Sequence, residues 1–229
     1  MTARFTGSRE LTPDVRHFSF EVPEVDSFPF TPGQWVSLCR EINGKKITRA
    51  YSIASTPTGN QFDLCLNRVQ DGLFSPFLFD LGEGIAVDLK GPYGTFVIRN
   101  PGRDLVMVAT GTGIAPFRSM VAHHLASGGT SKVTLLFGVR YPESILYRED
   151  FEGWQQQHPN FTFLPTLSRG PEGWTGRRGH VQQHLEEALA GRTDVDVYIC
   201  GLKAMVDDVR ERLKAKGFDR KQIIYEKYD

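Results

Sequence analysis

The sequence contains few cysteines, and they are not spaced for metal binding. Cys39, Cys65 and Cys200 lie far apart, without a C-x-x-C pair or the ligand spacing of a zinc site. Three thiols are also too few for a plant-type iron–sulfur cluster, which needs four cysteine ligands. An odd cysteine count is typical of a reducing compartment, so we expect a cytoplasmic protein.

An excess of either charge and a long apolar run are also missing. Lys plus Arg and Asp plus Glu number 27 each, so the formal net charge is +0. A neutral chain has no bulk attraction to nucleic acid or membranes, although local patches are not excluded. Apolar stretches such as LVMVA (105–109) are far too short to span a bilayer, and the first residues lack the apolar segment of a secretory signal. We therefore expect neither nucleic-acid nor membrane partners.

Up to about residue 99 the chain reads as short strands separated by turns. PG, NG, PTGN and GEG strings mark those turns. The segments with strand patterns are 17–22, 34–40, 46–53, 62–69, 84–91 and 94–99. Six short strands at this spacing predict a closed or nearly closed antiparallel Greek-key β-barrel over residues 1–99, with a short helix near 75–79.

After Asn100 the pattern changes to buried strands that alternate with helices. Strands are predicted at 104–110, 131–139, 160–168, 194–201 and 223–229, and helices at 111–127, 148–157, 179–190 and 202–217. This alternation predicts βαβ units and a doubly wound parallel α/β domain over residues 100–229.

Glycines and cations follow the predicted parallel strands. In ATGTGIAPFRS (109–119), Gly111, Thr112 and Gly113 would let a pyrophosphate approach the backbone at a helix N-terminus, although many strand-to-helix turns need glycine. The segment is not a P-loop, so phosphate hydrolysis by such a loop is disfavoured. Later strand ends carry polar groups that either converge on a phosphate or are ordinary solvated loop residues: Arg140, Ser168, Arg169 and Arg177.

Two further segments suit flat ligands. RAYSIAS (49–55) alternates a cation, an aromatic ring and a hydroxyl, as an ordinary edge strand also could. In VYICGLKAM (197–205), Gly201 could admit a ring close to the backbone. Cys200 is either a small buried hydrophobe or a sulfur packed against a reactive ring.

With RAYSIAS, GTGIAPFRS and VYICGLKAM in this order, the sequence resembles the ferredoxin–NADP(+) reductase family over nearly its whole length. The resemblance implies an FAD-binding barrel followed by an NADP-binding domain. It implies that Arg49 pairs with the FAD pyrophosphate, Tyr51 packs on the isoalloxazine and Ser52 lies near flavin N5. The other FAD contacts it implies are Ala50, Leu66, Asn67, Leu73, Phe74, Ser75, Thr112 and Tyr228.

On the nicotinamide side, the resemblance assigns the 2′-phosphate chiefly to Arg140, Ser168, Arg169 and Arg177. The other NADP contacts it implies are Gly111, Thr112, Gly113, Cys200, Gly201 and Leu202. Plant relatives carry a tyrosine that stacks on the adenine, and His180 stands near that position in this sequence. Because of this difference, NADH stays open as the substrate. The ending YEKYD resembles the family's E-x-aromatic terminus, with one extra residue, Asp229. The resemblance then implies four catalytic residues around the path of hydride transfer: Ser52, Cys200, Glu226 and Tyr228.

The function implied is electron transfer through FAD between NADP(H) and a separate ferredoxin or flavodoxin, by a monomer. Three alternatives stay open. They are an NADH-dependent reductase component of an oxygenase, an NAD(P)H-flavin reductase, and a subunit that only holds nucleotide. Basic residues that could form a rim for an acidic carrier are Arg16, Arg40, Lys45, Lys46 and Arg68.

Overall fold

The computed structural model describes residues 1–228, so Asp229 lies outside the described residues. These residues form two compact units. Unit 1 contains Met1–Ile98 and Ala115–His123, and unit 2 contains Arg99–Ile114 and the chain from His124 onward. The domain boundary between residues 99 and 100 stays a prediction. No helix within residues 1–228 is long and apolar enough to cross a membrane.

Unit 1 is built on a six-stranded antiparallel sheet with the strand order β4-β3-β6-β1-β2-β5. The strands are β1 (Thr2–Thr12), β2 (Val15–Glu21), β3 (Trp35–Ile42), β4 (Lys45–Ser52), β5 (Gln61–Asn67) and β6 (Ala86–Tyr93). An isolated bridge between Ile53 and Leu64 joins the chain after β4 to β5, which brings the two outer strands together. The predicted antiparallel six-stranded architecture is confirmed.

The predicted strand at 94–99 is wrong, and the sixth strand is β1 instead. Strand β6 ends at Tyr93, and Gly94 then turns the chain at a φ of +99°. Phe96 packs against Phe117 of the first long helix, with ring centroids 5.7 Å apart. The pattern of β1 is weak because only Ala3 and Phe5 are buried among its many polar residues. Its ladders to β2 and β6, rather than its own apolar pattern, make it a strand.

The core of unit 1 is rich in phenylalanine. Alternation along β2 points Phe18 and Phe20 inward, and both are 0% exposed. The Phe20 ring lies 5.5 Å from that of Phe62, and Phe18 lies 5.3 Å from Phe79 of α1 (Phe74–Phe79). The short helix predicted near 75–79 is therefore confirmed, and it packs onto the barrel core.

Unit 2 contains a six-stranded parallel sheet with the order β10-β9-β8-β7-β11-β12. Its strands are β7 (Leu105–Thr110), β8 (Val133–Val139), β9 (Phe161–Leu167), β10 (Arg177–Arg178), β11 (Asp196–Leu202) and β12 (Ile223–Tyr228). Sequence analysis missed β10, which has two residues only. The doubly wound α/β fold is confirmed.

The helices follow the predicted alternation, with one shortened. They are α2 (Ala115–Ala126), α3 (Arg148–Gln157), α4 (Leu185–Leu189) and α5 (Lys203–Ala215). The helix predicted at 179–190 is a 3-10 turn at Val181–His184 followed by α4. Since the chain runs from β7 outward to β10 and then returns to β11 on the other side of β7, the order reverses between β7 and β11. Ligands of open α/β sheets bind at the carboxyl ends of the strands at such a point.

We expect Phe18→Ala to lower the free energy of unfolding by about 3 to 5 kcal/mol, because it leaves a cavity among packed rings. Ile85→Ala, at a side chain 43% exposed, is the control and should cost less than about 1 kcal/mol. Urea unfolding followed by far-UV circular dichroism measures both. Equal small effects would contradict a packed aromatic core in unit 1.

Candidate cofactor-binding sites

Strand β4 places the arginine and the tyrosine of RAYSIAS on one face. Residues two apart in a strand point the same way, so Arg49 and Tyr51 share a side. The Tyr51 ring stacks on Phe74 at the start of α1, with centroids 6.3 Å apart and an interplanar angle of 27°. Burial raises the pKa of the Tyr51 phenol above its usual range, although the charge of Arg49 acts in the opposite direction. Tyr51 is therefore a neutral aromatic surface beside an exposed cation.

The turn before α1 adds backbone donors near this ring pair. Leu73, which is 47% exposed, precedes α1, and no side chain caps the helix start. The buried Ser75 hydroxyl accepts a hydrogen bond of 2.9 Å from the Val69 amide. It therefore holds the turn in shape. An exposed arginine on the strand of Tyr51 and uncapped amides at the start of the helix that carries Phe74 suit a pyrophosphate joined to a flat ring.

The remaining predicted FAD contacts of unit 1 lie at the ends of β4 and β5, whereas Thr112 and Tyr228 belong to unit 2. Ser52 is buried and pairs with Trp35 of β3, whereas Ala50 is exposed and pairs with Ser37. At the end of β5, Leu66 is buried and Asn67 is exposed. The structure thus brings the predicted residues of unit 1 to the neighbouring strands β4 and β5 and to α1.

Helix α2 fixes the connection that follows Ser52, which sequence analysis missed. Arg118 donates to the Ala54 carbonyl at 2.9 Å, and Ser119 donates to the Ser55 carbonyl at 2.5 Å. Arg118 and Ser119 are the last two residues of the motif GTGIAPFRS, so the sequence placed them in a recognised segment but did not indicate their partners. Both residues lie within unit 1, so they position the strand that carries Arg49, Tyr51 and Ser52.

The half-buried Asp63 holds the same connection from the other side. Asp63 donates its amide to the Ser55 hydroxyl at 2.9 Å. Its carboxylate accepts a hydrogen bond of 2.8 Å from Ser19 and lies 3.3 Å from the His17 ring. Burial alone would raise the pKa of Asp63, but the interactions with His17 and Ser19 outweigh it and lower that pKa. The carboxylate therefore stays ionised at neutral pH.

At the switch point of unit 2, the backbone after β7 touches the end of β11. A Cβ added to Gly113 would overlap the Cys200 carbonyl oxygen and lie 2.9 Å from the Cα of Gly201. Gly201 itself has a φ of +144°, and a Cβ there would overlap the Thr110 hydroxyl. That hydroxyl is buried, and no atom of residues 1–228 hydrogen-bonds to it. The two glycines therefore let the turn after β7 pack directly on the backbone at the end of β11, at the strand ends where open α/β sheets bind ligands.

The strand ladder brings Cys200, Glu226 and Tyr228 together. Cys200 pairs in register with Glu226, and exposed Leu202 pairs with Tyr228. Cys200 is fully buried, and burial raises the pKa of its thiol far above the usual range. The charge of Glu226 raises that pKa further, while a hydrogen bond with Tyr228 acts the other way. Cys200 is therefore a neutral thiol.

The loops after β8 and β9 run side by side. Ser168 and Arg169 donate backbone hydrogen bonds of 2.9 Å to the carbonyls of Val139 and Arg140. Arg140 and Arg169 are therefore neighbours, and both are exposed. Arg177 lies on β10 beside Thr166 of β9, but its guanidinium is hydrogen-bonded to Glu187. His180 is exposed at the start of the 3-10 turn that follows β10. The other predicted contacts, Gly111 and Thr112, lie in the turn after β7.

Comparison with known proteins identifies both units. The Oxidoreductase FAD-binding domain family matches residues 2–98, and the Oxidoreductase NAD-binding domain family matches residues 107–211. These matches define a flavin- and nicotinamide-dependent oxidoreductase, and they confirm FAD and a nicotinamide dinucleotide as its cofactors. Ferredoxin–NADP reductase B of Sorangium cellulosum is 41% identical over 99% of this chain and 97% of its own length. The chain belongs to the ferredoxin–NADP(+) reductase family.

Other relatives serve oxygenases. The toluate 1,2-dioxygenase electron transfer component of Pseudomonas putida is 30% identical over 99% of this chain and 67% of its own length.

Among solved structures, a ferredoxin NADP+ reductase of Neisseria gonorrhoeae with bound FAD and NADP is 25% identical. It aligns with a TM-score of 0.87 over 99% of this chain and 98% of its own. A cytochrome P450 reductase of Amycolatopsis aligns with a TM-score of 0.88 and 29% identity over 99% of this chain and 68% of its own.

We expect Gly113→Ala to weaken use of the nicotinamide dinucleotide by about tenfold in kcat/KM, because the methyl group would push the turn away from β11. FAD content should not change. Gly153→Ala in α3 is the matched control, since nothing lies within 4 Å of the added carbon. Ferricyanide reduction by the FAD-loaded variants measures the effect. Equal activity of both variants would contradict a nicotinamide site at this contact.

Proposed function

We propose that this protein transfers electrons between NADP(H) and a separate one-electron carrier protein, a ferredoxin or a flavodoxin, through FAD. The observation that carries the proposal is the 41% identity to ferredoxin–NADP reductase B over 97% of that relative. The three cysteines of this sequence are too few for a four-thiolate cluster, so in this proposal a partner protein accepts or donates the single electrons. We also expect a monomer that works in the cytoplasm.

The FAD site in this proposal lies on β4, the end of β5 and the start of α1. Arg49 and the amides at Leu73, Phe74 and Ser75 would bind the pyrophosphate. Tyr51 would pack on the isoalloxazine, and the Ser52 hydroxyl would lie near flavin N5. Ala50, Leu66 and Asn67 would contribute backbone contacts. When bound, FAD supplies the conversion between two-electron and one-electron transfer.

The nicotinamide site in this proposal lies at the switch point of unit 2. Gly111, Thr112 and Gly113 would hold the pyrophosphate through backbone amides. Gly201 would receive the nicotinamide, with Cys200 and Leu202 beside it. The 2′-phosphate would meet Arg140, Ser168, Arg169 and Arg177. The roles of Cys200, Glu226 and Tyr228 in electron transfer stay predictions.

The predicted basic rim supports an acidic carrier as the partner. Arg16 and Arg68 both lie over the Phe79 ring, with guanidinium carbons 4.8 and 5.6 Å from its centroid. Arg40 lies 5.1 Å from the centroid of Phe77 on the same short helix. Lys45 and Lys46 are exposed at the start of β4. Three of the five cations are thus gathered around α1, where Asp80 offsets one of them through its 3.3 Å ion pair with Arg68. The remaining positive charge would raise encounter rates with an acidic protein.

A second candidate is an NADH-dependent reductase component of an oxygenase. The ion pair between Arg177 and Glu187 favours it, because a neutralised arginine binds a 2′-phosphate less strongly. The 30% identity to the toluate dioxygenase component points the same way. A flavin reductase is a third candidate, which tight retention of FAD would argue against.

NADPH and NADH turnover separates the first two functions. With FAD-loaded protein and ferricyanide as the acceptor, we expect kcat/KM to favour NADPH. A hundredfold preference corresponds to about 2.7 kcal/mol of transition-state stabilisation. Reduction of an added ferredoxin or flavodoxin by NADPH is the second measurement. Equal or better use of NADH would make the oxygenase-reductase function the better supported one.

Ser52→Ala should slow reduction of the bound flavin by NADPH about tenfold or more while FAD stays bound, because a polar group beside the reacting atom is lost. Stopped-flow absorbance gives the rate, and the ratio of flavin to protein absorbance gives the FAD content. Ser8→Ala, on an exposed residue of β1, is the control. An unchanged reduction rate in Ser52→Ala would remove Ser52 from the reaction.

A further inference from the structure

The four arginines of the nucleotide-facing loops have different surroundings. Arg178 is committed to the loop itself, because its guanidinium donates to four backbone carbonyls, those of Gly170, Pro171, Glu172 and Trp174. Arg140 and Arg169 have no side-chain partner within residues 1–228, so their charges are available to a ligand. Arg177 differs from both groups, since its partner is a carboxylate.

Glu187 of α4 binds Arg177 with both oxygens. The Arg177 Nε donates to Oε2 at 2.9 Å, and Nη2 donates to Oε1 at 2.5 Å. This two-bond geometry is the one that an arginine also uses to bind phosphate. The hydrogen bonds from Arg177 lower the pKa of Glu187, so the carboxylate is ionised at neutral pH. The His184 ring lies 3.7 Å from the same carboxylate.

We propose that Glu187 weakens the preference for NADPH over NADH by neutralising Arg177 where the 2′-phosphate is expected to bind. The inference rests on the proposed function, in which Arg140, Arg169 and Arg177 form that site. Glu187 already occupies the guanidinium edge of Arg177 that could bind a 2′-phosphate, and its negative charge repels the phosphate. NADH presents a neutral 2′-hydroxyl instead and is affected little. Glu187 therefore narrows the preference for NADPH that three arginines would otherwise produce.

Glu187→Gln keeps the shape of the side chain and removes its charge. In FAD-loaded protein at low salt, we expect kcat/KM for NADPH to rise about fivefold, the upper range for an exposed charge pair. The value for NADH should stay within about twofold. Glu186→Gln is the matched control, because Glu186 is the adjacent residue and its carboxylate pairs with Lys216 rather than with Arg177. Glu186→Gln should leave the ratio of kcat/KM for NADPH to kcat/KM for NADH unchanged.

The double variant tests whether Glu187 acts through Arg177. In an Arg177→Gln background, Glu187→Gln should no longer raise kcat/KM for NADPH. Calorimetry with adenosine 2′,5′-bisphosphate and 5′-AMP gives a readout without turnover. Glu187→Gln should tighten the bisphosphate about fivefold and leave 5′-AMP unchanged.

The outcomes separate this inference from the proposed function. If the wild-type protein turns over neither nucleotide, the proposed function fails, and the binding measurement still tests Glu187. If the wild-type protein is active but Glu187→Gln leaves both the NADPH-to-NADH ratio and bisphosphate binding unchanged, the inference is overturned. A loss of activity with both nucleotides would also overturn it, because Glu187 would then only stabilise the loop.

Discussion

The contact between Gly113 and the end of β11 is the constraint on which the nucleotide end of unit 2 depends. The carboxyl ends of β7 and β11 can lie side by side only because no side chain separates the turn after β7 from the Cys200 carbonyl. This contact places Gly201 against Thr110 and leaves the Thr110 hydroxyl buried without a partner among the described residues. A side chain at Gly113 or Gly201 would separate the two strand ends, so the shape of this end of the sheet depends on both glycines.

The segment after these glycines explains a second feature, the hydrogen bonds that hold the connection after β4. Arg118 and Ser119 donate to the carbonyls of Ala54 and Ser55, and Asp63 holds Ser55 from the barrel side. Because Ser52 lies just before this connection, its position depends on a helix more than sixty residues later in the chain. Positioning of a reactive group by such supporting contacts is common in cofactor sites.

Arginine has three separate roles in the loops of unit 2. Arg178 shapes a loop through backbone carbonyls, Arg177 is neutralised by Glu187, and Arg140 and Arg169 are exposed neighbours. The number of cations near a phosphate site is therefore a poor measure of its charge. Family membership is equally broad, since relatives include a ferredoxin–NADP reductase and a dioxygenase electron transfer component.

The sequence by itself determined the two kinds of architecture and the family, because buried strands, helix periods and short glycine motifs are local patterns. It also located the strand with Arg49, Tyr51 and Ser52 and the turn with Gly113. Only the tertiary structure decided that β1 rather than 94–99 completes the barrel, since ladders to β2 and β6 outweigh a weak apolar pattern. It alone paired Arg177 with Glu187 and Arg118 with Ala54. Arg118 and Ala54 lie 64 residues apart and Arg177 and Glu187 lie ten apart on different elements, and no local pattern records which partner a long charged side chain will reach.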